Sequence, residues 1–116
     1  MLKGYSVIFV PSRNIEESKA WYQQHLKLEW DQWIMKVPNS APIFFVESKD
    51  TWNYKDINGN EYAVLSFIVE DAEKLHRELN EANVHTEETV RFIDGIGKEF
   101  WFYDPSGNRL LVTEQM

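Results

Sequence analysis

Residues 100–112 read Phe-Trp-Phe-Tyr-Asp-Pro-Ser-Gly-Asn-Arg-Leu-Leu-Val, with two apolar-rich runs flanking Asp104-Pro105-Ser106-Gly107. Pro105 fixes φ at the first central position of a type I turn, and Asp104 can bond the turn's backbone. Gly107 supplies the left-handed residue that lets the second strand start in register. The stretch therefore predicts a β-hairpin, and strands this apolar need a larger sheet to cover them.

The composition favours a folded domain in a reducing compartment. The chain has 116 residues, of which 43% are hydrophobic and 15% aromatic, enough for a packed core. Cysteine is absent, which removes disulfides, thiol catalysis and thiolate metal sites and fits a cytoplasmic location. The formal net charge of −7 argues against binding to nucleic acid or anionic lipid. No apolar run is long enough to span a bilayer, so we expect no membrane partner.

The first half of the chain predicts one helix between strands. Residues 5–11 are β-branched and aromatic, which indicates a buried strand. Asn14 is a suitable N-cap for a helix that ends near His25. Apolar residues alternate with polar ones over residues 28–37, which predicts two short strands with a break near Asp31. Residues 43–46 predict a short buried strand.

The second half repeats this order. Residues 62–69 predict a strand, Asp71 precedes a helix that shows one apolar face, and residues 85–93 predict a strand before the hairpin. Each half therefore has the order strand, helix and three strands. This order predicts an α+β fold of two βαβββ modules, residues 1–48 and 61–116. The polar stretch 49–60 is interpreted as a linker between them or a loop over a cleft. The competing fold is a single ferredoxin-like βαββαβ unit, for which the three strands after the second helix are one too many.

Three stretches carry a resemblance to a known family: residues 10–22, residues 65–83 and the turn at 104–108. In this order and at these separations they resemble the vicinal oxygen chelate superfamily, which covers glyoxalase, bleomycin resistance proteins and dioxygenases. The resemblance implies that the two modules form a U-shaped mixed sheet with the helices outside and a ligand in the concave cleft. It also implies a homodimer.

The metal enzymes of that superfamily take ligands from the first strand of each module and from the strand after the Asp-Pro-x-Gly turn. By resemblance these positions fall on Val7, Val64 and Leu111, and the remaining one falls near Phe45 or Glu47. Valine and leucine have no lone pair to offer a metal, and one glutamate alone cannot hold a divalent ion. We therefore predict no metal site and no cofactor.

The candidate ligand-binding residues follow from strand parity together with the resemblance. They are Val7, Phe9, Phe45, Glu47, Val64, Ser66, Trp101, Tyr103, Arg109 and Leu111. Trp101 and Tyr103 share a face, but parity does not say which face. Arg109 would suit a ligand carboxylate, whereas an inward Glu47 would favour a cation. The aromatic residues can equally fill the core and a dimer interface.

Three functions are consistent with these features. The leading hypothesis is a metal-independent small-molecule binding protein that sequesters an aromatic or amphipathic ligand, for which bleomycin resistance proteins are the family precedent. The alternative is a lyase, isomerase or dioxygenase-type enzyme with a displaced divalent metal site, for which Glu47 and His85 are the candidate residues. The third is a structural or regulatory dimer with a filled cleft.

Overall fold

The chain forms two units, Met1–Thr51 and Trp52–Met116, each with its own four-stranded sheet. The computed structural model describes all 116 residues. The boundary after Thr51 lies inside the stretch 49–60 that the sequence identified as a linker. Most of that stretch belongs to the second unit, where part of it is paired as strand.

Unit 1, Met1–Thr51, is a βαβββ module. Its elements are β1 (Ile8–Ser12), α1 (Ile15–Leu26), β2 (Glu29–Asp31), β3 (Ile34–Lys36) and β4 (Ile43–Glu47). The sheet order is β1-β4-β3-β2, with β1 parallel to β4 and the other pairs antiparallel. Helix α1 starts where the Asn14 side chain accepts a hydrogen bond from the Glu17 amide at 3.0 Å. The buried Tyr22 ring of α1 packs 5.1 Å from the Phe45 ring of β4, which fixes the helix on one face of the sheet.

Unit 2, Trp52–Met116, repeats the module behind a small hairpin. Its elements are β5 (Tyr54–Lys55), β6 (Glu61–Tyr62), β7 (Leu65–Ile68), α2 (Ala72–Glu81), β8 (Arg91–Ile93), β9 (Gly97–Tyr103) and β10 (Arg109–Gln115). The sheet order is β7-β10-β9-β8, and β5 pairs only with β6. The first strand again runs parallel to the last, so the strand order matches that of unit 1. The α+β prediction of two βαβββ modules is therefore confirmed.

The hairpin at 100–112 is the centre of unit 2, as predicted. The Gly107 amide donates to the Asp104 carbonyl at 3.0 Å, and Gly107 has φ 87°. The buried Asp104 carboxylate accepts from the Ser106 and Asn108 amides, both at 2.9 Å. Phe100, Phe102, Leu110 and Val112 are fully buried on the face that α2 covers. This burial places the alternate residues of both strands on the other face.

Three predicted strands are shorter than expected. The first begins at Ile8, and Tyr5 is 87% exposed, because β4 offers no partner before Ile43, which pairs with Ile8. The strand predicted over 62–69 is two strands, β6 and β7, which belong to different sheets. The strand predicted over 85–93 is only β8, and an isolated bridge joins Thr86 to Phe102. The apolar composition and pattern overestimated strand length in each case, since strand length depends on the available partner.

Neither helix of the chain is long and apolar enough to cross a membrane.

Candidate ligand-binding face

The sheet of unit 2 has an open face, which we define as the face turned away from α2. Trp101 pairs with Leu111 and Tyr103 pairs with Arg109 across the antiparallel ladder, so all four side chains lie on this face. Ser66 of β7 lies opposite Leu111 on the neighbouring strand and is exposed. The structure thus brings together five of the predicted ligand-binding residues and assigns Trp101 and Tyr103 to a face.

Arg109 lies over the aromatic rings of the open face. Its guanidinium carbon is 4.5 Å from the centroid of the Trp101 ring and 5.8 Å from that of Tyr103. Arg109 Nη1 donates to Tyr103 Oη at 3.0 Å and to Glu61 Oε2 at 2.9 Å. The Arg109 side chain is only 14% exposed. The cation therefore lies against a π surface and is paired with one carboxylate.

His85 completes this group, which we call the Arg109 stack: Arg109, Trp101, Tyr103, His85 and Glu61. The His85 ring stacks on Tyr103 at 4.9 Å and meets the edge of Trp101 at 5.4 Å. The His85 carbonyl accepts from the Tyr103 amide at 3.0 Å, which fixes the loop that carries it. The sequence placed His85 at the start of a predicted strand and named it, with Glu47, as a candidate residue of the alternative enzyme. It did not identify Glu61, because no pattern connects a polar loop residue to Arg109.

Glu61 reaches the stack because the β5–β6 hairpin is tied to the turn at 104–108. Asn53 donates to the Gly107 carbonyl at 2.9 Å and accepts from the Arg109 amide at 2.9 Å. The Trp52 amide donates to the buried Asn108 side chain at 3.0 Å. These bonds hold the hairpin beside the stack, and Glu61 on β6 is 47% exposed.

The other end of the open face is polar. Ser66 Oγ lies 3.3 Å from Thr113 Oγ1, and Thr113 Oγ1 lies 3.4 Å from Glu99. Arg91 bridges the largely buried carboxylates of Glu87 and Glu99. The hydrogen bond from Arg91 to Glu87 is the main cause of the raised pKa of Arg91. Glu87 also accepts from the Trp101 amide at 3.2 Å, so this network supports the strand that carries the stack.

Unit 1 has an exposed aromatic group on the sheet face away from α1. Phe9 is 58% exposed and meets Phe44 edge-on at 5.8 Å, as does Trp33. The structure separates two predicted ligand-binding residues, because Phe9 pairs with Phe44 whereas Phe45 faces α1. Val7 precedes β1, and Glu47 is exposed at the end of β4. In unit 2, Val64 lies just before β7 and is 49% exposed.

No group of three or more His, Cys, Asp or Glu side chains in the chain is placed to hold a metal ion. Val7, Val64 and Leu111 occupy the positions that the resemblance assigns to metal ligands. His76 is engaged by the Glu87 carbonyl at 2.7 Å, and His85 belongs to the Arg109 stack. Burial, reinforced by Lys27, lowers the pKa of His25.

Unit 1 also has a surface depression of about 530 Å³ beside the C-terminal end of α1. Lys27, Leu28, Ile34, Val37 and Pro38 are among the residues that line it. It contains no aromatic ring and no buried charge that would orient a ligand. The Arg109 stack has both, so the open face of unit 2 is the stronger candidate.

No protein-family model and no curated protein matches the sequence. Solved structures match it over nearly their whole length. An antibiotic binding protein from a Streptomyces species, TnmS3, is 14% identical with a TM-score of 0.74 and covers 99% of this chain and 98% of its own. A member of the glyoxalase/bleomycin resistance protein/dioxygenase superfamily from Sphaerobacter thermophilus is 16% identical with a TM-score of 0.75, covering 98% of each chain.

A mutant of the fosfomycin resistance protein FosX from Listeria monocytogenes, complexed with Mn(II) and 1S,2S-dihydroxypropylphosphonic acid, is 16% identical. Its TM-score is 0.77, and the match covers 100% of this chain and 93% of that one. These TM-scores establish the fold of the chain. Identities this low do not transfer a function, which must be argued from the residues of this chain. The chain has the fold of the glyoxalase/bleomycin resistance protein/dioxygenase superfamily, as the resemblance implied.

Proposed function

We propose that this protein binds and sequesters a flat, amphipathic small molecule on the open face of unit 2 without the help of a metal ion. The observation that carries the proposal is the Arg109 stack. A guanidinium lies 4.5 Å over Trp101 beside two further rings, on a sheet face that no helix of its unit covers.

The chemistry of this face suits such a ligand. Aromatic contacts add about 0.5–1.5 kcal/mol per ring pair beyond the area they bury. Ser66, Thr113 and Glu99 supply hydroxyl and carboxylate groups to a polar end of the same ligand. Leu111 lies between the two ends of the face, at a position where a metal enzyme of this superfamily would carry a ligand. Binding by stacking and hydrogen bonding needs no metal there.

The fold comparison supports the proposal. TnmS3, which matches 99% of this chain, is an antibiotic binding protein. A fold that binds an antibiotic in one protein provides a precedent for small-molecule binding in another, although it does not name the ligand.

The test is calorimetric titration of the full chain with 2-naphthamide, a flat neutral probe, in buffer that contains EDTA. We expect measurable binding to the wild type and a loss of about tenfold in affinity for Trp101→Leu, since the variant loses the aromatic ring against which Arg109 is held. Trp30→Leu is the matched control, because Trp30 lies under Lys19 on the α1 side of unit 1. Equal affinity of Trp101→Leu and the wild type would contradict the proposed site.

The alternative function is an enzyme of the lyase, isomerase or dioxygenase kind with a displaced metal site. The FosX mutant complexed with Mn(II) favours it, since the same fold there contains a divalent ion. Glu47 and His85 are the candidate residues in this chain. Turnover that requires added Mn(II) and is lost in Glu47→Gln or His85→Ala would establish this alternative.

We further propose a homodimer. Phe9 and Trp33 on the sheet of unit 1 are 58% and 59% exposed, and apolar rings this accessible are typical of interaction surfaces. Light scattering of the purified protein is expected to give twice the 13.8 kDa mass of the chain. Phe9→Ser should shift the mass toward that of one chain. A monomer at all concentrations would rule out the dimer.

A further inference from the structure

We infer that the ligand carries a carboxylate or a similar planar anion, which binds the free edge of the Arg109 guanidinium. The inference rests on the proposed function and specifies the charge of its ligand. The sequence suggested that Arg109 could bind a ligand carboxylate. Its pairing with Glu61, and the free donors that this pairing leaves, are seen only in the structure.

The guanidinium has unused donors. Both of its side-chain hydrogen bonds, to Glu61 and Tyr103, leave from Nη1. Nε–H and the two N–H groups of Nη2 donate to no protein atom. No fully buried side-chain nitrogen or oxygen in the chain lacks a partner, so Nε and Nη2 must reach solvent. Arg109 therefore presents the two parallel donors that fit a carboxylate bidentately.

The donors are held in a fixed orientation. Tyr103 Oη and Glu61 Oε2 are 3.1 Å apart and both contact Nη1, while the guanidinium lies over Trp101. A fixed guanidinium loses little side-chain entropy when an anion binds. An aromatic carboxylate can therefore pair with the free edge while its ring lies against the aromatic part of the open face.

A cationic ligand is disfavoured at this position. Arg109 already occupies the face of Trp101, so a second cation there would meet a like charge. The net charge of −7 acts in the opposite direction, because it opposes the approach of an anion. That long-range effect is screened beyond about 8 Å at physiological salt, whereas the Arg109 contact is short. The local charge therefore decides selectivity.

The charge of Glu61 should affect how tightly an anionic ligand binds Arg109. The Glu61 carboxylate lies on Nη1 and is 47% exposed, so solvent partly screens its attraction to the guanidinium. It repels an anion bound to the adjacent edge of the same guanidinium. Removing the charge of Glu61 should therefore strengthen the binding of an anionic ligand and weaken that of a cationic one.

The experiment compares three probes that share one ring: 2-naphthoate, 2-naphthamide and 2-naphthylmethylammonium, titrated into the full chain by calorimetry. For the wild type we expect naphthoate to bind about tenfold more tightly than naphthamide, the ratio that one charge-assisted pair supports. Glu61→Gln should raise naphthoate affinity about threefold and leave the Tyr103 contact to Nη1 in place. Arg109→Gln should reduce the naphthoate-to-naphthamide ratio to about one.

The outcomes separate the inference from the proposed function. Binding of all three probes with equal affinity, or preference for the ammonium probe, would leave the proposed function standing and overturn the anionic ligand. Weaker naphthoate binding by Glu61→Gln would also overturn it. Failure of all three probes to bind the wild type would overturn the proposed function and the inference together.

Discussion

At the scale of single residues, one close contact between two strands requires glycine at the start of β9. Gly97 begins β9 with φ 135°, and a Cβ built there would lie 2.0 Å from the Glu114 carbonyl oxygen. Only glycine can accept that approach. The strand that carries Trp101 and Tyr103 therefore enters the sheet at a position where a side chain is excluded.

The close approach of Gly97 to the Glu114 carbonyl oxygen predicts that a side chain at position 97 destabilises the fold. Gly97→Ala should lower the free energy of unfolding by about 3 kcal/mol or more, because it combines backbone strain with a clash against main chain. Gly95→Ala is the matched control. Gly95 also has a positive φ, of 80°, but a Cβ built there would have no atom within 4 Å. Its cost should be about 1 kcal/mol. Urea unfolding measures both, and equal costs would show that the strand can shift to relieve the clash.

Individual residues also show why the candidate site could be predicted only in part from the sequence. The turn chemistry of Asp104 and Gly107 was visible in the sequence, and both act in the structure as expected. Strand parity grouped Trp101 with Tyr103, and the burial of Phe100 then assigned their face. Glu61 could not be predicted, because its contact with Arg109 depends on a hairpin whose residues show no apolar period.

At the scale of elements, the β5–β6 hairpin is the part of unit 2 that depends most on polar contacts. Its loop is closed around Asp56, whose carboxylate accepts from the amides of Asn58 and Asn60 at 2.8 and 2.9 Å. Tyr54 and Tyr62 stack across the hairpin at 6.0 Å but remain about half exposed. The loop therefore has little buried apolar surface to hold it.

The Asp56 contacts of the hairpin should persist to a lower pH than the ordinary titration range of an aspartate. The backbone hydrogen bond from Asn60 is the main cause of the lowered pKa of Asp56. Because the pKa of the folded state lies below that of the unfolded state, the stabilisation is present above the unfolded pKa. It is lost as the pH falls through the folded pKa. NMR titration should show the Asn58 and Asn60 amides shifting as the pH falls through the folded pKa of Asp56.

Asp56→Ala is the control for this titration, since it removes the titrating group. The Asn58 and Asn60 amide shifts of the variant should be independent of acidic pH. A titration of these amides that persists in Asp56→Ala would assign the effect to another carboxylate.

Strand length was the least predictable property at this scale, and the reason is physical. Helices α1 and α2 carry their own start signals in Asn14 and Asp71, whose side chains accept from amides three residues ahead. A strand has no local signal of that kind, because its length is set by the strand beside it. Residues 5–7 therefore have strand composition and no strand partner, while β9 and β10 pair along seven residues.

At the scale of the whole molecule, the repeat of the module was predictable although the two halves share little sequence. Each unit places its first strand parallel to its last and covers one sheet face with its helix. That leaves one face of each sheet without a helix. The fold therefore supplies the surfaces, and the side chains on them decide what is bound.

The two open faces differ in chemistry, which is why we assign binding to unit 2. The face of unit 1 carries Phe9, Phe44 and Trp33, and no cation lies over these rings. The face of unit 2 carries a paired guanidinium with free donors beside its rings. Specific binding of a small molecule requires a few oriented polar groups on an apolar surface, and only the face of unit 2 offers them beside its rings.

The most direct test of the central claim is an NMR titration of the full chain with 2-naphthoate in EDTA-containing buffer, read from the backbone amides. We expect the shifts to cluster on β6, β9 and β10 around Glu61, Trp101 and Arg109, with the same affinity after diamagnetic Zn(II) replaces EDTA. Shifts that appear only when Zn(II) is present, or that spare these strands, would contradict metal-independent binding at the open face of unit 2.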